Sequence, residues 1–357
     1  MDSYQVKRHM KNILTLSITL ILSLVLKAQS NPEKHLFLTK SLTNQKIQKI
    51  YARTSGGRID VTGITTGETR LEVYVHVNNT KNNATLPREE IQKRMEQDYD
   101  LTISILNNQL EVIAKPKTKN MDWKRSLNIS FQLFVNPKVS TDLHTSGGGI
   151  HLSDLFGTQN FSTSGGSLDL DKLSGSINGK TSGGSIKITN SSDELNLKTS
   201  GGSIKAANCK GTMQFNTSGG SLNFTNLSGN IESRTSGGSI HAANISGEFS
   251  THTAGGGIDL SDMKCSIDAS TSGGSIDVEA TSLGKYVKLS TSSGSINLQL
   301  PDKQGLNLNL TASKVKVNTL NNFSGTKEDD LIKGTLNGGG IPVDVRTSGG
   351  RISIDFN

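Results

Sequence analysis

Residues 181–198 read TSGGSIKITNSSDELNLK, and residues 199–216 read TSGGSIKAANCKGTMQFN. The same opening, TSGG or a one-residue variant, recurs at every eighteenth residue from Thr145 to Thr271. Seven equal steps do not arise by chance, so the chain is built from a fixed 18-residue unit. Related openings stand outside this run at Thr54, Thr291 and Thr347.

Within each unit, apolar residues alternate with polar ones in two short stretches. Counting the threonine as place zero, they fall at places five and seven (Ile186, Ile188) and at places fourteen and sixteen (Leu195, Leu197). Alternation with a period of two is typical of a half-buried strand. Turn signals separate the stretches: Gly-Gly at places two and three, and groups such as NLSG at 226–229. Each unit is therefore predicted to be strand, turn, strand, turn.

One such unit cannot bury its apolar side alone, whereas stacked units bury a continuous narrow core and pair each strand with its equivalent. The sequence thus predicts an all-β fold, a parallel β-solenoid (β-helix) with 18-residue two-strand rungs. The composition agrees, because only 32% of residues are hydrophobic and 4% aromatic, too few for a wide core. Glycine is abundant at 38 residues, but with only 6 prolines it does not indicate collagen.

The chain divides into three parts in this interpretation. Residues 1–30 form a signal peptide, residues 31–143 a β-rich lead-in that caps the first rung, and residues 144–357 the solenoid, with an insertion at about 301–337. In the lead-in, Pro87 to Gln97 is predicted as a short helix with proline near its start. A hairpin is predicted from Leu101–Ile105 and Leu110–Ala114, and a further strand from Leu127 to Val135.

The leader interpretation depends on residues 7–30. Lys7, Arg8 and Lys11 precede an apolar run at 13–26, which ends before the small-residue sequence AQS. This pattern is typical of a secretory signal, and the run is too short for a membrane span. We therefore expect an exported protein in the periplasm, at the cell surface or outside the cell, and not an integral membrane protein. Without the leader the net charge falls from +7 to +4, which does not favour a nucleic-acid partner.

The repeat, the leader, the segment ISFQLFVNP at 129–137 and the closing NGGG at 337–340 together carry a resemblance. The chain resembles the "putative adhesin" family of bacterial β-strand-repeat proteins, a domain of unknown function related to head-domain autotransporter-adhesin-like proteins. The resemblance covers most of the mature chain. It implies an exported β-solenoid that binds surfaces, and it supplies no catalytic residues.

In a solenoid, equal places of successive rungs form a vertical column, so a functional site is expected as a column. Place six gives one such outward column, in which His241, Asp259 and Asp277 stand on successive rungs. These three groups are a candidate cation site or acid/base pair for cleaving a polysaccharide. The alternative is a solvated face of mixed charge without a pocket. The whole column comprises His151, Asp169, Lys187, Lys205, Asn223, His241, Asp259, Asp277 and Asn297.

Place seventeen gives a second column, which is mainly basic. Its candidate binding residues are Lys180, Lys198, Arg234 and His252, and repeating charges of this kind suit an anionic polysaccharide. The alternative is that the lysines only keep the surface soluble and the sheet edges unattractive. The column comprises His144, Ser162, Lys180, Lys198, Asn216, Arg234 and His252, with Arg53 and Arg346 in the equivalent setting.

The remaining residue types predict no catalytic centre, cofactor or metal site. Cys209 and Cys265 lie on rungs about 14 Å apart, beyond the roughly 7 Å reach of a disulfide, so free thiols are expected. No His-x-x-x-His or Cys-x-x-Cys spacing supports zinc. The threonine at place zero is expected to cap its turn by hydrogen bonding.

The function that these observations favour is an exported, non-enzymatic β-solenoid acting as an adhesin-like or cell-envelope binding protein. Its expected partner is an envelope or extracellular polysaccharide or a surface protein. Two alternatives stay open. The first is a polysaccharide-active β-helix enzyme, which requires a cluster of carboxylates and basic residues around one groove. The second is a self-associating structural envelope protein, since solenoids with weak caps join end to end.

Overall fold

In the computed structural model, which describes residues 35–77, 86–118, 125–318 and 320–356, the 18-residue units stack as parallel rungs. Ile186 pairs with Leu168 on one side and with Ile204 on the other, each 18 residues away. The predicted parallel β-solenoid is thereby confirmed. The strands of the array are β8 (Ser140–Thr145), β9 (Ile150–Thr163), β10 (Leu168–Thr181), β11 (Ile186–Thr189), β12 (Ser192–Lys198), β13 (Ile204–Asn216), β14 (Leu222–Arg234), β15 (Ile240–Thr253), β16 (Ile258–Thr271), β17 (Ile276–Thr291) and β18 (Ile296–Leu300).

In most rungs the second predicted turn is a pair of corners within one continuous strand, whereas in the Thr181 rung it separates β11 from β12. In β14, Asn226 has a φ of 55° and Gly229 a φ of 125°, and Leu227 between them is buried. The corner asparagines stack, with Asn244 Nδ2 donating to Asn226 Oδ1 at 2.8 Å and Asn226 Nδ2 donating to Asn208 Oδ1 at 2.9 Å. Asparagine tolerates the left-handed region, which explains its place at the corner. Place ten is therefore a third inward column that the two-stretch pattern did not include.

The threonine at place zero links neighbouring rungs. Thr181 is buried, and its Oγ1 donates to the Gly166 carbonyl oxygen at 2.8 Å and accepts from the Gly184 backbone N–H at 3.2 Å. Thr199 repeats this geometry on the next rung. The expected capping role is confirmed, and the same hydroxyl also joins one turn to the turn below it.

The N-terminal end of the stack is closed by strands that precede and follow the Thr54 unit. The elements here are β1 (His35–Ser41), β2 (Lys49–Thr54), β3 (Ile59–Gly63), β4 (Arg70–Val77), α1 (Arg88–Asp98), β5 (Tyr99–Leu106), β6 (Gln109–Pro116) and β7 (Leu127–Val135). β2 pairs in parallel with β8 on one side and with β6 on the other, so the Thr54 unit is itself a rung of the solenoid. β5 and β4 then pair antiparallel onto β6 and β7, and β1 pairs antiparallel onto β4.

The C-terminal end of the stack is also closed by a further rung and by antiparallel strands outside it. Thr347 Oγ1 donates to the Gly294 carbonyl oxygen at 2.7 Å, so the last repeat in the sequence lies directly on the Thr291 rung. β19 and β20 then stack in parallel outside it, and β22 and β21 close the end antiparallel. These strands are β19 (Leu306–Thr311), β20 (Lys314–Val317), β21 (Phe323–Lys327), β22 (Leu331–Leu336), β23 (Ile341–Thr347) and β24 (Arg351–Phe356).

The leader interpretation for residues 1–30 lies outside the described residues. Across the part of the chain that the structure describes, no helix has the length and apolar character needed to cross a membrane.

Both cysteines are free and buried in the core, as the rung spacing predicts. Burial raises the pKa of the Cys265 thiol to about 12 and also raises the pKa of the Cys209 thiol. Because the thiolate is the reactive form, neither thiol reacts readily at neutral pH.

We expect a chromogenic disulfide reagent at about pH 8 to label the folded protein negligibly and to label both thiols after denaturation. Rapid stoichiometric labelling of the folded protein would contradict this burial.

Candidate functional site

The place-seventeen residues form one vertical column on an outward face. Lys180 pairs in register with Lys198, and Arg234 pairs with His252, each on adjacent rungs. Asn216 separates the two pairs. Since strand residues alternate between faces, the buried places fourteen and sixteen alternate with these outward positions. The structure thus brings the four candidate binding residues onto one face as two pairs.

The neighbouring column at place fifteen supplies acidic partners to some of these basic side chains and not to others. Arg234 Nη2 lies 3.0 Å from a carboxylate oxygen of Glu232, and His144 Nε2 lies 2.8 Å from one of Asp142. Each acid stands two residues before its partner on the same strand face. Glu232 therefore neutralises Arg234 within the basic column, and Asp142 occupies one ring nitrogen of His144.

Lys180 and Lys198 have amides in place of acids at the corresponding positions. Asn178 and Asn196 precede them by two residues, and Asn160 lies in register with Asn178 on the rung below. Both lysines are exposed, and among the described residues no carboxylate lies within ion-pairing distance of either ammonium group. Two uncompensated lysines therefore stand on adjacent rungs, whose strands are about 4.8 Å apart.

Two open grooves run beside this lysine pair, with volumes of about 340 and 330 Å³. We name them the amide groove and the hydroxyl groove. Neither groove has an acidic lining residue. The amide groove is lined by His144, Asn160, Phe161, Ser162, Asn178, Gly179, Lys180, Asn196 and Lys198. The hydroxyl groove is lined by Thr145, Ser162, Thr163, Ser164, Lys180, Thr181, Ser182, Lys198, Thr199 and Ser200.

Two polar side chains of the amide groove are fixed by hydrogen-bond contacts with neighbouring side chains. Ser162 Oγ lies 2.7 Å from His144 Nδ1, and Asn178 Nδ2 donates to Ser176 Oγ at 3.2 Å. Asn196 differs, because its Oδ1 is shielded from solvent and has no hydrogen-bond donor. The groove therefore combines fixed amides and hydroxyls with two cations, an arrangement suited to a hydroxyl-rich anion.

A third groove, of about 270 Å³, adjoins the amide groove and shares Asn196 with it. We name it the acidic groove, because Glu194 and Glu232 both line it. Its full lining is Glu194, Leu195, Asn196, Thr212, Met213, Gln214, Asn230 and Glu232.

The place-six residues also form a column, on a different face. His241 pairs in register with Asp259, and Asp259 with Asp277. His241 Nδ1 lies 3.7 Å from an Asp259 carboxylate oxygen, while Asp277 accepts a hydrogen bond from Asn297 Nδ2 at 2.6 Å. The side chains are more than half exposed in the His241–Asp259 pair, and the three grooves above are lined by other residues. A catalytic or cation-binding role for this column stays a prediction.

The column of amide side chains at place fifteen was not identified from the sequence, although its repeat is visible there. Place fifteen reads Asn160, Asn178, Asn196 and Gln214 over four rungs, and it would have been found by reading this place like places six and seventeen. Among the described residues no group of three or more His, Cys, Asp or Glu side chains is arranged to hold a metal ion.

Several solved structures are similar over most of their length. A "putative adhesin" from Bacteroides fragilis is 15% identical, with 91% of this chain and 99% of that chain covered and a TM-score of 0.29. A "putative cell adhesion protein" from Clostridium sporogenes is 12% identical, with 90% and 98% covered and a TM-score of 0.18. A "putative lipid binding protein" from Parabacteroides distasonis is 13% identical, with 89% and 96% covered and a TM-score of 0.28. No curated protein matches the chain.

A family model, described as Toastrack DUF4097, matches residues 27–355. The match includes both end caps and every rung between them, so it extends over nearly the whole chain. It confirms the resemblance to adhesin-like repeat proteins that the sequence suggested. The chain belongs to the Toastrack DUF4097 family.

Proposed function

We propose that the protein is an exported binding protein that holds an acidic polysaccharide of the cell envelope or its surroundings in the amide groove. The observation that carries this proposal is the uncompensated pair of Lys180 and Lys198 in a groove without acidic lining residues. Elsewhere in the same column, Arg234 is compensated by Glu232. Charge for an anionic ligand is therefore concentrated where the groove lies.

A polysaccharide suits this groove better than a compact anion. The grooves are open and follow the stack, and their lining repeats at each rung in the series Asn160, Asn178, Asn196. A polymer with repeated charged and hydroxyl groups can contact the two lysines on adjacent rungs and the amides that repeat over three rungs. Side-chain amides donate and accept together, as sugar hydroxyls require.

Export supports the same proposal. The leader predicted at residues 1–30 would bring the protein to the compartment in which envelope polysaccharides occur. The rigid solenoid presents the groove without a conformational change, which limits the entropic cost of binding.

We expect the Lys180→Ser, Lys198→Ser double variant to lose at least tenfold in affinity for hyaluronan oligosaccharides, measured by titration calorimetry. Removing two exposed charge contacts, each worth at most about 1 kcal/mol, is sufficient for such a loss. Wild-type binding should also weaken as salt is added, because exposed charges are screened. Neutral dextran serves as the uncharged probe and should not bind.

The matched control is Lys187→Ser, Lys205→Ser, which removes two lysines that are also in register on adjacent rungs but lie in the place-six column. This variant should bind hyaluronan like the wild type. An equal loss of hyaluronan affinity in both double variants would mean that only the net charge of the protein matters. That result would contradict binding in the amide groove.

The same samples test the two alternatives. New reducing ends in the hyaluronan would indicate a polysaccharide-active enzyme and would overturn the non-enzymatic function. A mass that rises with protein concentration in light scattering would favour a self-associating envelope protein.

A further inference from the structure

Glu194, Asn196 and Lys198 occupy alternate positions of β12, so all three project from one face of a single strand. Leu195 and Leu197 between them are buried. Three residues lie between Glu194 and Lys198, so their Cα atoms are about 13 Å apart along the strand. An acid, an amide and a base therefore follow one another across the junction of the acidic groove and the amide groove.

The acid at one end of this series is uncompensated. Glu194 is exposed, and within the described ranges no Lys, Arg or His nitrogen lies within ion-pairing distance of its carboxylate. Its in-register neighbours are the hydroxyl residues Ser176 and Thr212. Glu232, the other acid of the acidic groove, is held by Arg234. Glu194 is thus the acid available to a cation in this groove.

The amide in the middle, Asn196, lines both grooves and so marks the point where they meet. Its Oδ1 is shielded from solvent, so a ligand does not reach that oxygen directly. A ligand that enters both grooves passes over Asn196 and meets Glu194 on one side and Lys198 on the other. A purely anionic chain would meet repulsion at Glu194.

We infer that the ligand is a zwitterionic polysaccharide, whose carboxylates contact Lys180 and Lys198 and whose free amino groups contact Glu194. This inference rests on the proposed function and specifies its substrate class. One chain laid across Asn196 places an amine in the acidic groove and a carboxylate in the amide groove, with the two charges separated by one to a few sugar residues.

The test compares two probes with the same backbone at about pH 6, where carboxylates are ionised and sugar amines are largely protonated. Hyaluronan oligosaccharides carry carboxylates and acetylated amines, whereas partly de-N-acetylated hyaluronan of the same length carries carboxylates and free amines. We expect the de-N-acetylated probe to bind at least tenfold more tightly. Glu194→Gln should remove this preference and strengthen hyaluronan binding, because it removes both the partner of the free amines and the repulsion of the anionic chain.

The matched control is Glu279→Gln, an exposed acid outside all three grooves, which should keep the full preference. Equal binding of the two probes to the wild type, or a preference that survives Glu194→Gln, would overturn the zwitterionic ligand. If hyaluronan binding still depends on Lys180 and Lys198 in that case, the proposed binding of an acidic polysaccharide is retained and only the zwitterionic ligand is rejected. Failure of both probes to bind would overturn both proposals.

Discussion

Gly220→Ala is expected to lower the free energy of unfolding by about 3 kcal/mol, because the new methyl group meets the backbone of the next rung. A Cβ at Gly220 would lie 2.1 Å from the Gly202 carbonyl oxygen and 2.4 Å from the carbonyl carbon. Backbone atoms of a paired rung cannot move aside as a flexible side chain can. The rungs would have to separate locally, which weakens the threonine hydrogen bond between them.

The control is the adjacent glycine. A Cβ at Gly219 would lie 3.5 Å from its nearest atom, the Ser200 carbonyl oxygen, which is an ordinary contact. Gly219→Ala should therefore change stability by less than about 0.5 kcal/mol. Urea denaturation followed by circular dichroism measures both midpoints, and equal midpoints would show that rung spacing does not demand glycine at place three.

Phe224→Ala is expected to cost about 3 to 5 kcal/mol of stability, because it empties the centre of an aromatic cluster in the core. The Phe224 ring lies 5.2 Å from the Phe215 ring and 6.2 Å from the Phe249 ring, between centroids. Its in-register neighbours are Ala206 and Ala242, which are too small to fill the cavity.

Phe156→Ala provides the comparison, since it removes the same side chain at a position that is 48% exposed. Phe224 is only 2% exposed. Thermal unfolding should give a clearly lower midpoint for Phe224→Ala and a nearly unchanged one for Phe156→Ala. Similar midpoints would mean that the narrow core does not depend on close packing at this rung.

Local structure was predictable where the residues themselves determine it. The strand predicted at Leu127–Val135 is β7 with the same bounds, and the predicted hairpin turn has positive φ at both Asn107 and Asn108. The helix predicted from Pro87 to Gln97 is α1, one residue later at each end. The bounds of these elements follow from the alternation of apolar residues, from turn-forming residues and from proline, all of which act over a few neighbouring positions.

The order of the rungs was not predictable in the same way. Every unit presents a threonine at place zero and a glycine at place three, so the pattern does not specify that Thr347 lies on the Thr291 rung. The pairing of Arg234 with Glu232 was within reach, because residues two apart share a strand face. It was missed because each column was considered alone, and the candidate site depends on two adjacent columns.

The insertion of β23 and β24 between the Thr291 rung and its cap has a consequence for how the protein is made. The cap strands β19 to β22 are synthesised before the layer on which they rest. A chain released at residue 337 has its cap sequence but lacks that layer, and its last complete rung keeps an unpaired edge. This end is thus closed only after the final residues have been synthesised, and an incomplete chain keeps an open strand edge that can pair with another chain.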